Sequence, residues 1–189
     1  MSRSPLLDST QSVLVVVDMQ EALVPHLMQA EACQHVQQKL SAVAHELRIP
    51  LLVTEHNPKG LGRTAPSLLA TLQGQAEPIA PIEKITFSCM GEERFVQKLK
   101  DLRRASLVLM GCETHICVSQ TALEAAAAGY DVTVVVDGVT ARHVEGHRTG
   151  LDALARAGVG LWTWDAVAYQ WLRRAGTPEF KACLPHFKA

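Results

Sequence analysis

The sequence predicts an α/β fold, a doubly wound domain with a mainly parallel central sheet of about six strands flanked by helices. Three observations predict it. Short apolar blocks alternate along the chain with stretches of helical period. Hydrophobic residues fill 48% of the 189 positions and charged residues 20%, enough apolar side chain for a sizeable core. Aromatics are only 5%, which leaves Val, Leu, Ile and Ala to build that core, as sheets covered on both faces require.

The elements follow in order. Val13 to Val17 is a continuous, largely β-branched run ending at Asp18, suited to a strand buried on both faces. Val36, Leu40, Val43, Ala44 and Leu47 recur at helical spacing, and Pro50 stops that helix. Leu51 to Val53 reads as a short strand running into the loop His56 to Gly60. Thr64 to Leu72 reads as a short helix, Pro81 to Ile85 as a strand and Glu92 to Lys100 as a helix. Ser106 to Met110 is again strand, broken by Gly111. Ile116 to Ala128 is helical by composition, with Gly129 suited to its C′ position. Val132 to Val136 repeats the buried-strand signature. His147 to Ala157 forms a helix, Val159 to Trp162 a last short strand, and Ala166 to Arg174 a helix. Strands alternating with helices call for right-handed βαβ crossovers. The expected organisation is one domain over 1–189, with a core at about 10–172 and a tail at 173–189 carrying Phe180, Leu184 and Phe187.

Composition excludes several classes of function. A net charge of −1 supplies no basic field for a phosphate backbone, so no nucleic-acid partner is expected. The five cysteines form no C-x-x-C pair, which argues against a disulfide framework and a zinc ribbon. Met1 to Gln11 has no apolar leader core, and the strongest apolar run is too short to cross a bilayer, so no membrane is expected and the cytoplasm is the expected location. No glycine-rich phosphate loop follows a strand, and no cofactor is expected.

In doubly wound sheets the ligand crevice lies beyond the carboxyl ends of the strands. Four such ends carry chemistry: Asp18, Glu55 with His56, Lys84, and the segment Gly111 to Cys117. Each has a structural reading. An Asp after a strand caps a turn, a Lys at a strand end is solvated, and a Cys at a helix start packs. Together they also have a catalytic one. A helix N-terminus and a nearby Lys favour the thiolate, while a carboxylate accepts and returns its proton. Two cationic influences against one carboxylate predict a Cys117 pKa modestly below ~8.5. Spacing alone leaves both readings open.

Val15-Val16-Val17-Asp18-Met19-Gln20 resembles the first motif of the isochorismatase-like cysteine hydrolases. Lys84-Ile85-Thr86-Phe87-Ser88 resembles the second, and Gly111 to Val118 with Thr121-Ala122 the third, G-x-x-T-x-x-C-V-x-x-T-A. The resemblance spans roughly residues 10 to 172. The tracts Pro58-Lys59-Gly60-Leu61-Gly62 and Glu113 to Val118 make it closest to the isochorismatase-domain-containing hydrolases. It implies an isochorismatase-like, Rossmann-like fold and hydrolysis of a small amide or related acyl substrate. Cys117 would be the nucleophile, Asp18 the general base and Lys84 the cation of a triad. It also implies a cis bond at Cys112-Glu113, with the N–H groups of Glu113 and Cys117 as oxyanion hole. His56, Phe87, Ser88 and His115 are the candidate substrate-binding residues. Nicotinamidase relatives bind a metal through an Asp-x-His pair; Thr54-Glu55-His56 stands at that point, so no metal is expected. Relatives are commonly oligomeric, and a homo-oligomer is expected. Two alternatives are vinyl-ether hydrolysis of an isochorismate-like diacid and a non-catalytic or thiol-sensing protein that kept the fold.

Cys112 reads as a small residue ending a strand, and Cys89 as packing or pocket lining. The cluster Trp162, Trp164, Val167, Tyr169 and Trp171 reads as core or subunit contact.

Overall fold

The first apolar run forms strand β1, Ser12–Val17, in which every residue is buried. Successive side chains of a strand point to opposite faces. Leu14 and Val16 therefore enter one hydrophobic core, and Val13, Val15 and Val17 another. A strand buried on both faces needs helices on both sides. The computed structural model describes residues 6–73 and 79–188. Residues 1–5, which open the segment read above for a leader, lie outside the described residues, as do 74–78 and 189.

The remaining strands are β2, Leu51–His56; β3, Ile82–Lys84; β4, Ser106–Cys112; β5, Asp131–Thr140; and β6, Gly160–Trp162. They form one six-stranded sheet in the order β3-β2-β1-β4-β5-β6, with every neighbouring pair parallel. The helices are α1, Ala30–Glu46; α2, Pro58–Leu61; α3, Pro66–Gln73; α4, Glu93–Leu102; α5, Ser119–Ala127; α6, Val144–Arg156; α7, Trp164–Leu172; and α8, Pro178–Phe187. Leu40 and Val43 of α1 share the first core with Val167 and Trp171 of α7 and Cys183 of α8. Phe95 and Leu99 of α4, Ala122 and Ala125 of α5 and Leu154 of α6 fill the second. The α/β expectation is met, with all strands among the described residues parallel.

Element bounds differ from the pattern in instructive places. β2 continues past its apolar residues through Thr54, Glu55 and His56, because those three pair with Ile82, Glu83 and Lys84 of β3. β5 runs on to Thr140, and α6 starts at Val144, before the apolar stripe begins. The tail forms α8, whose Phe187 stacks on Trp164 at 5.3 Å and on Tyr169 at 4.7 Å. The tryptophan cluster divides, with Trp171 in the core and Trp162 and Tyr169 about half exposed.

The chain winds from β1 outward through β2 to β3, then restarts at β4 and winds the other way. The reversal lies between β1 and β4, and the crevice of such a sheet opens at their carboxyl ends.

Candidate active site

Asp18 directly follows β1, with φ of 52°, in a left-handed conformation that Asp tolerates better than most residues. Across the crevice β4 comes unusually close. A Cβ on Gly111, at φ of 119°, would lie 2.1 Å from the Val17 carbonyl oxygen, so only glycine fits there. The thiol of Cys112 donates to the Asp18 carbonyl at 3.1 Å, locking the two strand ends together.

Both oxygens of the Asp18 carboxylate are engaged. Its Oδ1 accepts from the Thr54 hydroxyl at 2.7 Å, and Lys84 Nζ lies 2.6 Å from its Oδ2. Both side chains of that ion pair are buried. The ammonium also donates to the carbonyls of Thr86 at 3.1 Å and Phe87 at 2.9 Å. Its three N–H donors are thus all used, which satisfies a buried Lys and fixes the loop after β3. Burial alone would lower its pKa, but Asp18 outweighs this and the net shift is upward.

Cys117 lies in a π-helical turn, Thr114–Val118, that leads into α5. The turn is held by N–H groups of Ile116 and Val118 donating to the Glu113 carbonyl at 3.0 and 3.2 Å. Thr121 Oγ1 donates to the Cys117 carbonyl at 2.6 Å and accepts from Cys89 N–H at 2.9 Å. The thiol is buried and interacts with both Asp18 and Lys84. Its electrostatics correct the expectation of a lowered pKa. Burial, then the Asp18 charge and a hydrogen bond to it, push the thiol up to about 12, and Lys84 opposes only in part. The resting arrangement is a neutral thiol against a buried Asp–Lys pair. The adjacent carboxylate is placed where it could accept the proton of such a thiol.

The Cys112-Glu113 peptide is cis. The Glu113 side chain turns away to Arg142, whose Nε lies 3.0 and 3.1 Å from its two oxygens and whose Nη2 lies 2.9 Å from Oε1. The Arg142 N–H donates to Oε2 at 3.0 Å as well. Burial would raise the Glu113 pKa, yet the Arg142 hydrogen bonds bring it below its ordinary value.

The structure therefore brings Asp18, Lys84 and Cys117 together with Glu113 beside them. The outer residues separate. His56, paired in register with Lys84, stacks on half-exposed Phe87 at 5.3 Å near the carboxyl ends of β2 and β3. Ser88 spends its hydroxyl on capping, accepting from Met90 N–H at 3.1 Å. The His115 imidazole lies on α6, where a Cβ at Gly146 would come within 2.8 Å of its Cε1.

Three supporting residues were not anticipated. Thr54 orients Asp18. Gln20 joins β2 to the following loop, accepting from His56 N–H at 2.7 Å and donating to the carbonyls of His56 at 3.0 Å and Gly62 at 2.7 Å. Arg142 holds Glu113. Gln20 stands inside the first motif, and Thr54 in the stretch compared with the metal-binding pair. Arg142 lies far along the chain with no local signal.

A nicotinamidase-type metal does not fit these residues. The Thr54 hydroxyl is spent on Asp18, and Glu55 accepts from the N–H and Oγ1 of Thr64, each at 2.8 Å, leaving His56 alone. Among the described residues no group of three His, Cys, Asp or Glu side chains is placed to hold an ion.

The isochorismatase domain family model matches residues 12–166. Isochorismatase domain-containing protein 2 of Xenopus laevis is 34% identical, over 93% of this chain and 82% of its own. Isochorismatase family protein 1B of Dictyostelium discoideum is 29% identical, over 92% and 84%. Among solved structures, one described as the MAR1 ribonuclease of Caenorhabditis elegans superposes with a TM-score of 0.90 at 30% identity, over 97% of this chain and 93% of its own. The YcaC gene product of Escherichia coli, described as an octameric hydrolase of unknown specificity, gives 0.81 at 26% identity, over 92% and 85%.

Proposed function

The chain belongs to the isochorismatase family of hydrolases, and within it we propose a cysteine-dependent hydrolase of small amides or related acyl compounds, working through a thioester on Cys117. One observation carries this reading: a thiol packed against a buried Asp18–Lys84 pair at the point where the sheet reverses direction.

The steps balance on these residues. Asp18 takes the Cys117 proton as sulfur bonds to the acyl carbon, and the N–H groups of Glu113 and Cys117 hold the oxyanion. The protonated Asp18 gives that proton to the leaving amine as the C–N bond breaks. A water then loses a proton to Asp18 and attacks the thioester, and the proton returns to sulfur as the acid leaves. Lys84, with no donor to spare, keeps a positive charge beside each anionic step. The flat His56–Phe87 pair suits a small substrate with a planar apolar part.

The Caenorhabditis neighbour is described as a ribonuclease. A net charge of −1 here favours a small neutral substrate over a polyanion. The octameric Escherichia neighbour and the exposed Ile85 and Phe87 favour self-assembly. Among the described residues no helix is long and apolar enough to cross a membrane. Five free thiols suit a reducing compartment.

A panel of small primary amides tests the reading. The chain should hydrolyse a member of it at a rate that falls at least about 10³-fold in both Cys117→Ala and Asp18→Asn. Hydrolysis that survives Cys117→Ala contradicts it and restores the vinyl-ether alternative.

A further inference from the structure

We propose that Arg142 is a positioning residue for acyl transfer, fixing the Glu113 peptide and cancelling the Glu113 charge beside the oxyanion hole; the inference rests on the hydrolase reading above. A glutamate is a poor neighbour for a forming oxyanion. Its carboxylate opposes a second negative charge, and its long side chain gives the adjacent peptide no stiffness of its own.

The structure answers both problems with one residue. Arg142 grips the carboxylate through Nε, Nη2 and its own backbone N–H, at 2.9 to 3.1 Å. A forked guanidinium on a carboxylate sets orientation as well as charge. The other side of the Glu113 residue is held too, because its carbonyl takes the Ile116 and Val118 N–H groups. Arg142 is itself anchored. Met28 N–H donates to the carbonyl of the preceding Ala141 at 3.0 Å, and Thr140 Oγ1 donates to the Met28 carbonyl at 2.6 Å. In register, Thr140 faces Cys112, so the clamp ties the ends of β4 and β5 across the peptide that bears the proposed donor.

Two probes separate this role from a structural one. p-Nitrophenyl acetate acylates a thiol through a tetrahedral oxyanion, whereas iodoacetamide alkylates it by direct displacement and needs no oxyanion hole. R142Q should slow single-turnover acylation of Cys117 about 10- to 100-fold, less than or equal to the loss of a whole oxyanion donor. Alkylation of the same thiol should stay within about twofold, and R142K should recover part of the acylation rate. The double variant E113Q/R142Q, which removes the opposing charge, should acylate faster than R142Q.

If R142Q acylates as fast as the parent chain, or loses acylation and alkylation together, the proposal is overturned while the thioester reading stands. A double variant as slow as R142Q overturns the charge half of the proposal. If the parent chain is not acylated on Cys117 at all, the hydrolase reading itself fails.

Discussion

Each half of the crevice holds a carboxylate against a cation, but the two pairs differ in their access to water. On the side of β1, β2 and β3, Asp18 is 1% exposed and Lys84 is 0%. On the side of β4 and β5, Glu113 is 7% exposed but Arg142 is 49%. Water screens the second pair and can solvate either partner if the contact opens. The first pair is screened far less, because both of its side chains are buried. In the proposed reaction a proton moving onto Asp18 would meet little screening there, as acid–base chemistry on a thiol requires. The half-exposed pair suits a fixed strut. Burial, more than residue type, divides the proposed proton carrier from its proposed support.

The largest test of that difference is stability. Lys84→Met leaves Asp18 buried without a counter-ion and should cost about 3–5 kcal/mol. Arg142→Met removes a half-exposed partner and should cost about 1 kcal/mol or less, because the Arg142 backbone N–H still donates to Glu113. Urea unfolding of both variants measures it, and equal losses would erase the distinction.

A smaller effect lies in pH. Cys117 is raised to about 12 and Cys89 to about 11, in each case by burial first and the Asp18 charge second. Above ~8.5 the unfolded chain releases protons that these folded thiols retain. A raised pKa stabilises fully below that value, and its contribution is lost as pH climbs toward the folded values. Each thiol should therefore subtract about 1.4 kcal/mol per pH unit above about pH 9. Urea midpoints should fall from about pH 8 to about pH 10, less steeply in Cys117→Ala. An unchanged slope in that variant would mean its thiol is not held protonated.

The strand pattern was legible in sequence because it depends on local composition, as in the doubly buried run Val13 to Val17. Asp18, Lys84 and Cys117 were singled out by the resemblance of three motifs to a known family, since their spacing alone left a structural reading open. The strand extensions were hidden, since Thr54, Glu55 and His56 are polar and only their ladder with β3 makes them strand. The last helix was obscured by Pro185 within it. The thiol pKa was misjudged because charge signs can be counted along a chain, while desolvation appears only once Cys117 is packed. Arg142 was invisible for a similar reason: its partner lies 29 residues away.

Mass spectrometry of the chain quenched during turnover of p-nitrophenyl acetate tests most directly whether Cys117 carries the acyl group. A single acetyl group is expected on the peptide containing Cys117. It should form far more slowly in Asp18→Asn, which lacks the carboxylate that takes the thiol proton, and be absent from Cys117→Ala. Acetyl carried by Cys89 or Cys112, with Cys117 bare, would contradict the proposed thioester on Cys117.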